Sequence, residues 1–120
     1  MIEGKYKLSF SKELLIDYYD NLLNDCFKLL PIYEGRDFKT KKIIYTPEEA
    51  HKNYIAYLSS FLNEICGGYY MFNNIYFLKL MTNLSGMMSI KINEHRKLKP
   101  LVFKCINLIN KLKEEIDNDS

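Results

Sequence analysis

Apolar residues recur along most of the chain at three- and four-residue spacing, the repeat of a helix that hides one face. Leu15, Tyr19, Leu22, Cys26 and Leu29 form the first such stripe, widened by Leu14, Tyr18, Leu23, Phe27 and Leu30. Asp17, Asp20, Asn21, Asn24, Asp25 and Lys28 take the other side. Ser11 can cap this helix, with Glu13 in its first turn. Pro31 disfavours helical geometry at Leu30, so the spacing predicts that the helix stops there. Thr46-Pro47-Glu48-Glu49 is a capping box with proline at the first helical position. The helix it opens puts His51, Tyr54, Ile55, Leu58, Phe61, Leu62 and Ile65 on one face, and Gly67-Gly68 is its expected end. Asn73 or Asn74 opens a third helix with an inner stripe of Phe77, Leu80, Met81, Leu84 and Met88. Gly86 in this helix is expected to let a neighbour approach closely, because a helical glycine otherwise costs about 1 kcal/mol against alanine. Residues 89–99 read equally as loop or helix tail. Pro100 favours a fourth helix that starts near Lys99, along which Leu98, Val102, Cys105, Ile109, Leu112 and Ile116 keep the helical repeat.

Two short stretches do not follow that repeat. Tyr6, Leu8 and Phe10 alternate with Lys7 and Ser9, which is the period of a strand. Ile43, Ile44 and Tyr45 follow the basic run Lys39-Thr40-Lys41-Lys42 and look extended. Residues 6–10 and 41–46 are therefore expected to pair as a small two-stranded ribbon, supported by the helices. The expected fold class is all-α: a four-helix, bundle-like single domain over residues 1–120, with 114–120 as an acidic, frayed tail. Its core should include Phe61, Leu62, Met81, Leu84, Cys105 and Ile109.

Composition narrows the class. A chain of 120 residues fits one domain, and 48% hydrophobic residues rule out disorder for its bulk. The first residues do not read as a signal peptide. The most apolar stretch, Tyr69 to Ile90, is broken by Asn73, Asn74, Lys79, Asn83 and Gly86, so it predicts a buried helix and no membrane partner. Cys26, Cys66 and Cys105 are odd in number and far apart, which points to reduced thiols in a cytoplasmic protein and to no metal site. The abundance of Ile, Lys, Asn, Tyr and Phe, all with AT-rich codons, suggests an AT-rich bacterial or phage-related gene.

Motifs of chemistry are scarce. There is no phosphate-binding glycine loop, no paired zinc ligands and no nucleophile elbow. His51 and His95 have no partners at catalytic or ligand spacing. The Arg-then-His signature of helical HEPN-type nucleases is missing, since Arg96 follows His95 and Arg36 has no histidine near it in sequence. The expectation is a protein that is not an enzyme, with no catalytic residue and no cofactor.

Two surfaces remain as binding candidates. The connection 32–45 is too long to be only a link, and it carries Tyr33, Arg36, Phe38 and Tyr45 among three lysines. Aromatic and arginine side chains supply most hot-spot energy, so these four form the expected protein-binding face. Charge marks the second candidate. Nine basic side chains between residues 51 and 113 face only Glu64 and Glu94. Lys91, His95, Arg96, Lys97, Lys99 and Lys104 cluster around the third connection as a site for phosphates or an acidic partner. Only two of the 17 basic residues are arginine, which counts against base recognition. The ten tyrosines suit interfaces, homo-oligomeric ones included. The sequence therefore predicts a non-enzymatic binding protein that occludes or sequesters a protein partner, in the manner of an immunity protein, an antitoxin or a phage-related inhibitor of a toxin or other effector. The alternative is a helical nucleic-acid-binding module that uses residues 91–104.

Overall fold

In the computed structural model, which describes residues 2–3 and 9–119 with side chains over 11–116, Ser11 caps α1 (Lys12–Glu34) by accepting the Leu14 N–H at 3.1 Å. α1 runs a turn past its expected end, with Pro31 inside it. A proline removes its own N–H bond, here the one to the Phe27 carbonyl, and its ring crowds that same carbonyl. Phe27 lies on the exposed side of the helix, where water can replace that partner. α2 (Pro47–Phe72) begins at the expected capping box, Thr46 and Glu49 bonding reciprocally at 3.2 Å. It does not end at Gly67-Gly68. It continues to Asn73, which takes the left-handed conformation at φ +54° and bonds back to the Tyr69 carbonyl.

The reason for the uninterrupted helix lies in packing. Gly68 is buried, and a Cβ there would come within 2.5 Å of the Phe77 ring and 3.0 Å of the Tyr18 hydroxyl. The glycine is the point where α3 lies against α2. Gly86, expected to serve that purpose, is exposed, and a Cβ there would meet nothing within 4 Å. α3 (Ile75–Met87) is opened by Asn74, whose side chain accepts the Tyr76 N–H at 2.8 Å and donates to Glu115 at 2.7 Å. α4 (His95–Asp119) starts four residues before Lys99 and carries Pro100 within its early turns. It stays helical through the acidic segment expected to fray, to Asp119.

α1 packs on α2, α2 on α3, α3 on α4, and α4 closes the ring against α1. Neighbours run antiparallel, as two contacts at each seam show: Tyr57 hydroxyl to the Asp25 carbonyl (3.0 Å) and the Tyr54 ring on Tyr33 for α1 and α2; Tyr54 hydroxyl to the Met87 carbonyl (2.7 Å) and Phe77 on Gly68 for α2 and α3; Asn83 amide to the Leu101 carbonyl (2.8 Å) and Asn74 to Glu115 for α3 and α4; Lys113 to Asp20 (2.6 Å) and His95 beside Glu34 for α4 and α1. The result is an all-α, up-down bundle. The inner stripe of α1 (Leu15, Tyr19, Leu22, Cys26 and Leu29) and the stripe of α4 are buried as predicted, but the apolar face of α1 is narrower than expected: Tyr18, Leu23 and Leu30 are half-buried, and Leu14 and Phe27 face solvent because no neighbouring helix covers that side. Phe61, Leu84, Cys105 and Ile109 lie in the core, while Leu62 and Met81 sit half-buried at its edge and Met87 replaces Met88 as the inner residue. All three cysteines are free, Cys26 and Cys105 buried and Cys66 half-buried. A hydrogen bond with Cys105, together with burial, pushes the Cys26 thiol up.

The expected ribbon does not form as drawn. Ser9–Phe10 pairs antiparallel with Ile2–Glu3, while residues 6–8 lie outside the described residues. Residues 41–46 turn back on their own loop, where Ile43 bridges to Arg36. The hydrogen bonds of that segment are satisfied locally, so no distant strand is needed.

Leu84→Ala should lower stability by about 2–5 kcal/mol in chemical denaturation, the range for an emptied leucine site. The two glycines should then separate in sign. Gly86→Ala should raise stability by about 0.5–1 kcal/mol, through helix propensity alone. Gly68→Ala should lower it, because crowding Phe77 outweighs that gain.

Candidate protein-binding site

The site begins at the end of α1. Gly35 adopts the left-handed conformation (φ +74°), and the Arg36 N–H reaches back to the Pro31 carbonyl at 2.9 Å. The chain then folds into a hairpin. Asp37 N–H bonds to the Lys42 carbonyl and Lys41 N–H to the Asp37 carbonyl, each at 2.9 Å. Ile44 and Tyr45 both donate their N–H groups to the Gly35 carbonyl, at 2.9 and 3.3 Å. The Asp37 carboxylate accepts from Thr40 N–H (2.8 Å) and Lys39 N–H (3.1 Å), and with Lys41 nearby these hold it below the usual carboxylate range. Arg36 spans the hairpin, its guanidinium bonding to the Lys41 carbonyl (2.8 Å) and to Glu34 (3.2 Å).

The ordered hairpin stands as a ridge between two clefts. One, of about 330 Å³, is bounded by Tyr33, Glu34, Arg36, Tyr45, His51 and His95. The other, of about 440 Å³, lies over Tyr57 and Lys28 and takes Phe38, Ile44 and Tyr45 as its wall. Phe38 is 47% exposed, Ile43 64%, Ile44 54% and Tyr45 43%. Four large apolar side chains in one short loop are more than a scatter of single exposed residues. Lys39, Lys41 and Lys42 are also exposed, and among the described residues none of them pairs with a carboxylate.

The four residues expected to bind a protein divide by role. Phe38 and Tyr45 present their rings to solvent. Arg36 is half-buried and brace-like. Tyr33 lies in α1 and acts as a fastener: its hydroxyl donates to the Lys91 carbonyl (2.5 Å) and accepts the Glu94 N–H (2.8 Å). This bond pair ties the α3–α4 connection to the end of α1. Ile43 and Ile44, expected from the sequence only as extended residues of the ribbon, belong to the ridge as well, directly after the exposed basic run.

The six cationic candidates are not gathered into one patch. His95 turns into the first cleft, 3.9 Å from the Glu34 carboxylate and beside the Tyr33 ring. Lys97 is paired with Glu94, which that pairing and the Lys91 N–H hold below the usual carboxylate range. Arg96 and Lys99 are exposed on α4, and Lys104 lies toward α3. The fold thus brings Arg36 and Tyr45 from one expected site together with His95 from the other. His51 joins them, its Nε2 lying 3.2 Å from the Ile90 carbonyl.

Among the described residues no group of three His, Cys, Asp or Glu side chains is placed to hold a metal ion, and no helix is long and apolar enough to cross a membrane. No protein family, curated protein or solved structure matches the chain.

Two outcomes check this geometry. Tyr33→Phe should lower stability by about 0.5–1.5 kcal/mol, because it removes the hydroxyl that bonds both the Glu94 N–H and the Lys91 carbonyl at a site water can reach. Tyr45→Phe, at an exposed site, should change it by less than about 0.5 kcal/mol. Since the Asp37 carboxyl is lowered in the folded state, its bonds to the Lys39 and Thr40 amides should be full above the ordinary aspartate value near 4 and weaken as pH falls through the depressed one, while the backbone bonds of the hairpin persist. In NMR titrations the Lys39 and Thr40 amides should therefore move only below about pH 4, and Asp37→Asn should abolish that movement.

Proposed function

We propose that the chain is a binding protein, and not a catalyst, that covers part of a protein partner with the ridge of loop 35–46. The observation that carries this reading is the exposure of Phe38, Ile43, Ile44 and Tyr45 on a hairpin whose backbone is already hydrogen-bonded. A pre-organised loop loses little entropy on docking, so its apolar area converts efficiently into affinity. The three lysines beside it favour a partner with an apolar pocket rimmed by acidic side chains, and they accelerate encounter.

The polar groups of the adjoining cleft support binding over catalysis. Glu34 is engaged by Arg36, Arg36 by the Lys41 carbonyl, the Tyr33 hydroxyl by two backbone groups and His51 by the Ile90 carbonyl. Each has a structural partner. The dispersal of Lys91, His95, Arg96, Lys97, Lys99 and Lys104 over several surfaces favours the protein partner over nucleic acid. A rigid projecting ridge suits occlusion of a partner's functional site, in the manner of an immunity protein, an antitoxin or a phage-encoded inhibitor.

The test is site-specific photo-crosslinking in the native host. Benzoylphenylalanine at position 38 should yield a discrete protein adduct, identified by mass spectrometry. The same probe at the exposed Asn63, on α2 away from the loop, should not. No adduct at 38, equal adducts at both positions, or an adduct to nucleic acid would sink the reading. With that partner in hand, Phe38→Ala with Tyr45→Ala should weaken binding at least about 30-fold, or about 2 kcal/mol, mainly in off-rate. Lys39, Lys41 and Lys42 changed to Gln should alter mainly the on-rate and its salt dependence. Tyr33 is a poor choice for this test, because its removal also loosens the α3–α4 connection.

A further inference from the structure

A second surface stands apart from the hairpin ridge. Between α3 and α4 runs an open groove of about 670 Å³, with Leu78, Leu101 and Leu108 as apolar lining and Lys79 and Lys104 at its sides. Its lining contains no carboxylate, no arginine and no aromatic residue. Gly86 leaves the groove open at one end, since nothing lies within 4 Å of the Cβ it lacks. Asn83 also lines it, with its amide already bonded to the Leu101 carbonyl and to the Cys105 sulfur. The groove therefore offers shape, apolar area and positive charge, and among the described residues no buried side-chain polar atom is left without a partner.

The α4 wall has a regular pattern. Lys97, Leu101, Lys104, Leu108 and Lys111 fall at intervals of four, three, four and three. At 100° per residue they form one narrow column beside the core stripe of Leu98, Val102, Cys105 and Ile109; Leu101, Lys104 and Leu108 line the groove itself, and Lys97 and Lys111 continue the column beyond its two ends. The column is about 21 Å long at 1.5 Å per residue, the length of a helix of about 14 residues. Lys104 and Lys111 pair with no carboxylate among the described residues, and Lys79 lies over the Tyr76 ring, 5.5 Å from its centre.

We propose that the α3–α4 groove docks an acidic amphipathic helix supplied by a partner protein. Its leucine-type side chains would fill the spaces between Leu78, Leu101 and Leu108, and its Asp and Glu residues would meet Lys79, Lys104 and Lys111. Helix-in-groove recognition needs this combination of an apolar floor and a helical repeat of anchors. Charge selects the occupant. A lining with cations at its edges and no anion favours an acidic helix and disfavours a basic one. A single-stranded nucleic acid would need stacking platforms, and the groove has no aromatic ring or guanidinium to provide them. A membrane surface cannot enter a concave seam whose helix has already turned its apolar stripe into the core.

The probe is a fluorescein-labelled 16-residue synthetic peptide with Leu at positions i, i+4, i+7 and i+11 and Glu and Ala elsewhere. A scrambled peptide of the same composition, a 15-residue oligothymidylate and phosphatidylserine vesicles serve as competing occupants. Fluorescence anisotropy should show the patterned peptide bound at least tenfold more tightly than the scrambled one. Amide shift changes should map to Leu78, Leu101 and Leu108. Lys79→Glu with Lys104→Glu should weaken binding at least tenfold. Gly86→Leu, whose Cβ would meet nothing within 4 Å, should do the same by occupying the open end, while thermal melting shows the fold intact. Failure of the patterned peptide to bind overturns the proposal, as does equal binding of the scrambled one. Indifference to the substitutions, or preferential binding of oligothymidylate or vesicles through the same lysines, also overturns it. None of these outcomes bears on the crosslink at position 38, so the two surfaces stand or fall separately.

Discussion

Gly35 combines two requirements that no other residue meets. Its φ of +74° lets α1 end in a left-handed cap, a conformation that costs an ordinary residue about 1–2 kcal/mol. Its lack of a side chain lets Ala50 of α2 and Tyr45 come within 3.0 and 3.2 Å of where a Cβ would stand. Its carbonyl then receives the N–H groups of both Ile44 and Tyr45. The hairpin opens and closes on one residue, which anchors it to α1 and α2 together. The exposed ridge, both clefts beside it and the bracing role of Arg36 all depend on that turn.

A second fastening works at the same end of the bundle. The Tyr33 hydroxyl grips the connection before α4 at two backbone points, and the Tyr33 ring meets Tyr54 edge-on at 5.1 Å. Tyr54 is fully buried and bonds to the Met87 carbonyl. A chain of two tyrosines thus links the ends of α1, α2 and α3 to the start of α4. Aromatic side chains with a polar tip suit this position, because the ring packs while the hydroxyl serves backbone groups at the rim of the core.

The helices were legible in the sequence because each carries a full apolar stripe. The inner stripes, Leu15-Tyr19-Leu22-Cys26-Leu29 and Leu98 to Ile116, follow the helical repeat of the sequence and are buried, while Leu14 and Phe27 show that apolar residues can widen a stripe without being covered; the capping box at Thr46 locates its helix start. Breaker residues misled in the places where packing overrides local preference. Pro31 is accommodated in the last turns of α1, and Gly68 is there for the Phe77 ring. A glycine is ambiguous in sequence: the same residue type marks a helix end, a close contact or an open groove, and only the neighbour across the interface decides. For the candidate site, Phe38 and Tyr45 were legible as exposed aromatics on a long connection. The grouping of Glu34 and Arg36 with His51 and His95 was not, because it joins segments tens of residues apart. The ribbon partner was misassigned for a related reason, since Ile43 found Arg36 a few residues away.

The connections of this bundle differ greatly in length, and that has a consequence for how the chain folds. α2 and α3 are joined through Asn73 and Asn74 alone, with Asn73 ending one helix and Asn74 capping the next. Loop-closure entropy is smallest for so short a link, and the contacts it brings together are local. The pair also has its own seam, with Phe77 seated on Gly68 and stacked on Phe72 at 6.0 Å. α1 and α4, in contrast, meet across nearly the whole chain, with Lys113 reaching Asp20. The α2–α3 hairpin is thus the natural early unit of folding, and the closure of α4 onto α1 the late, long-range step that completes the ring.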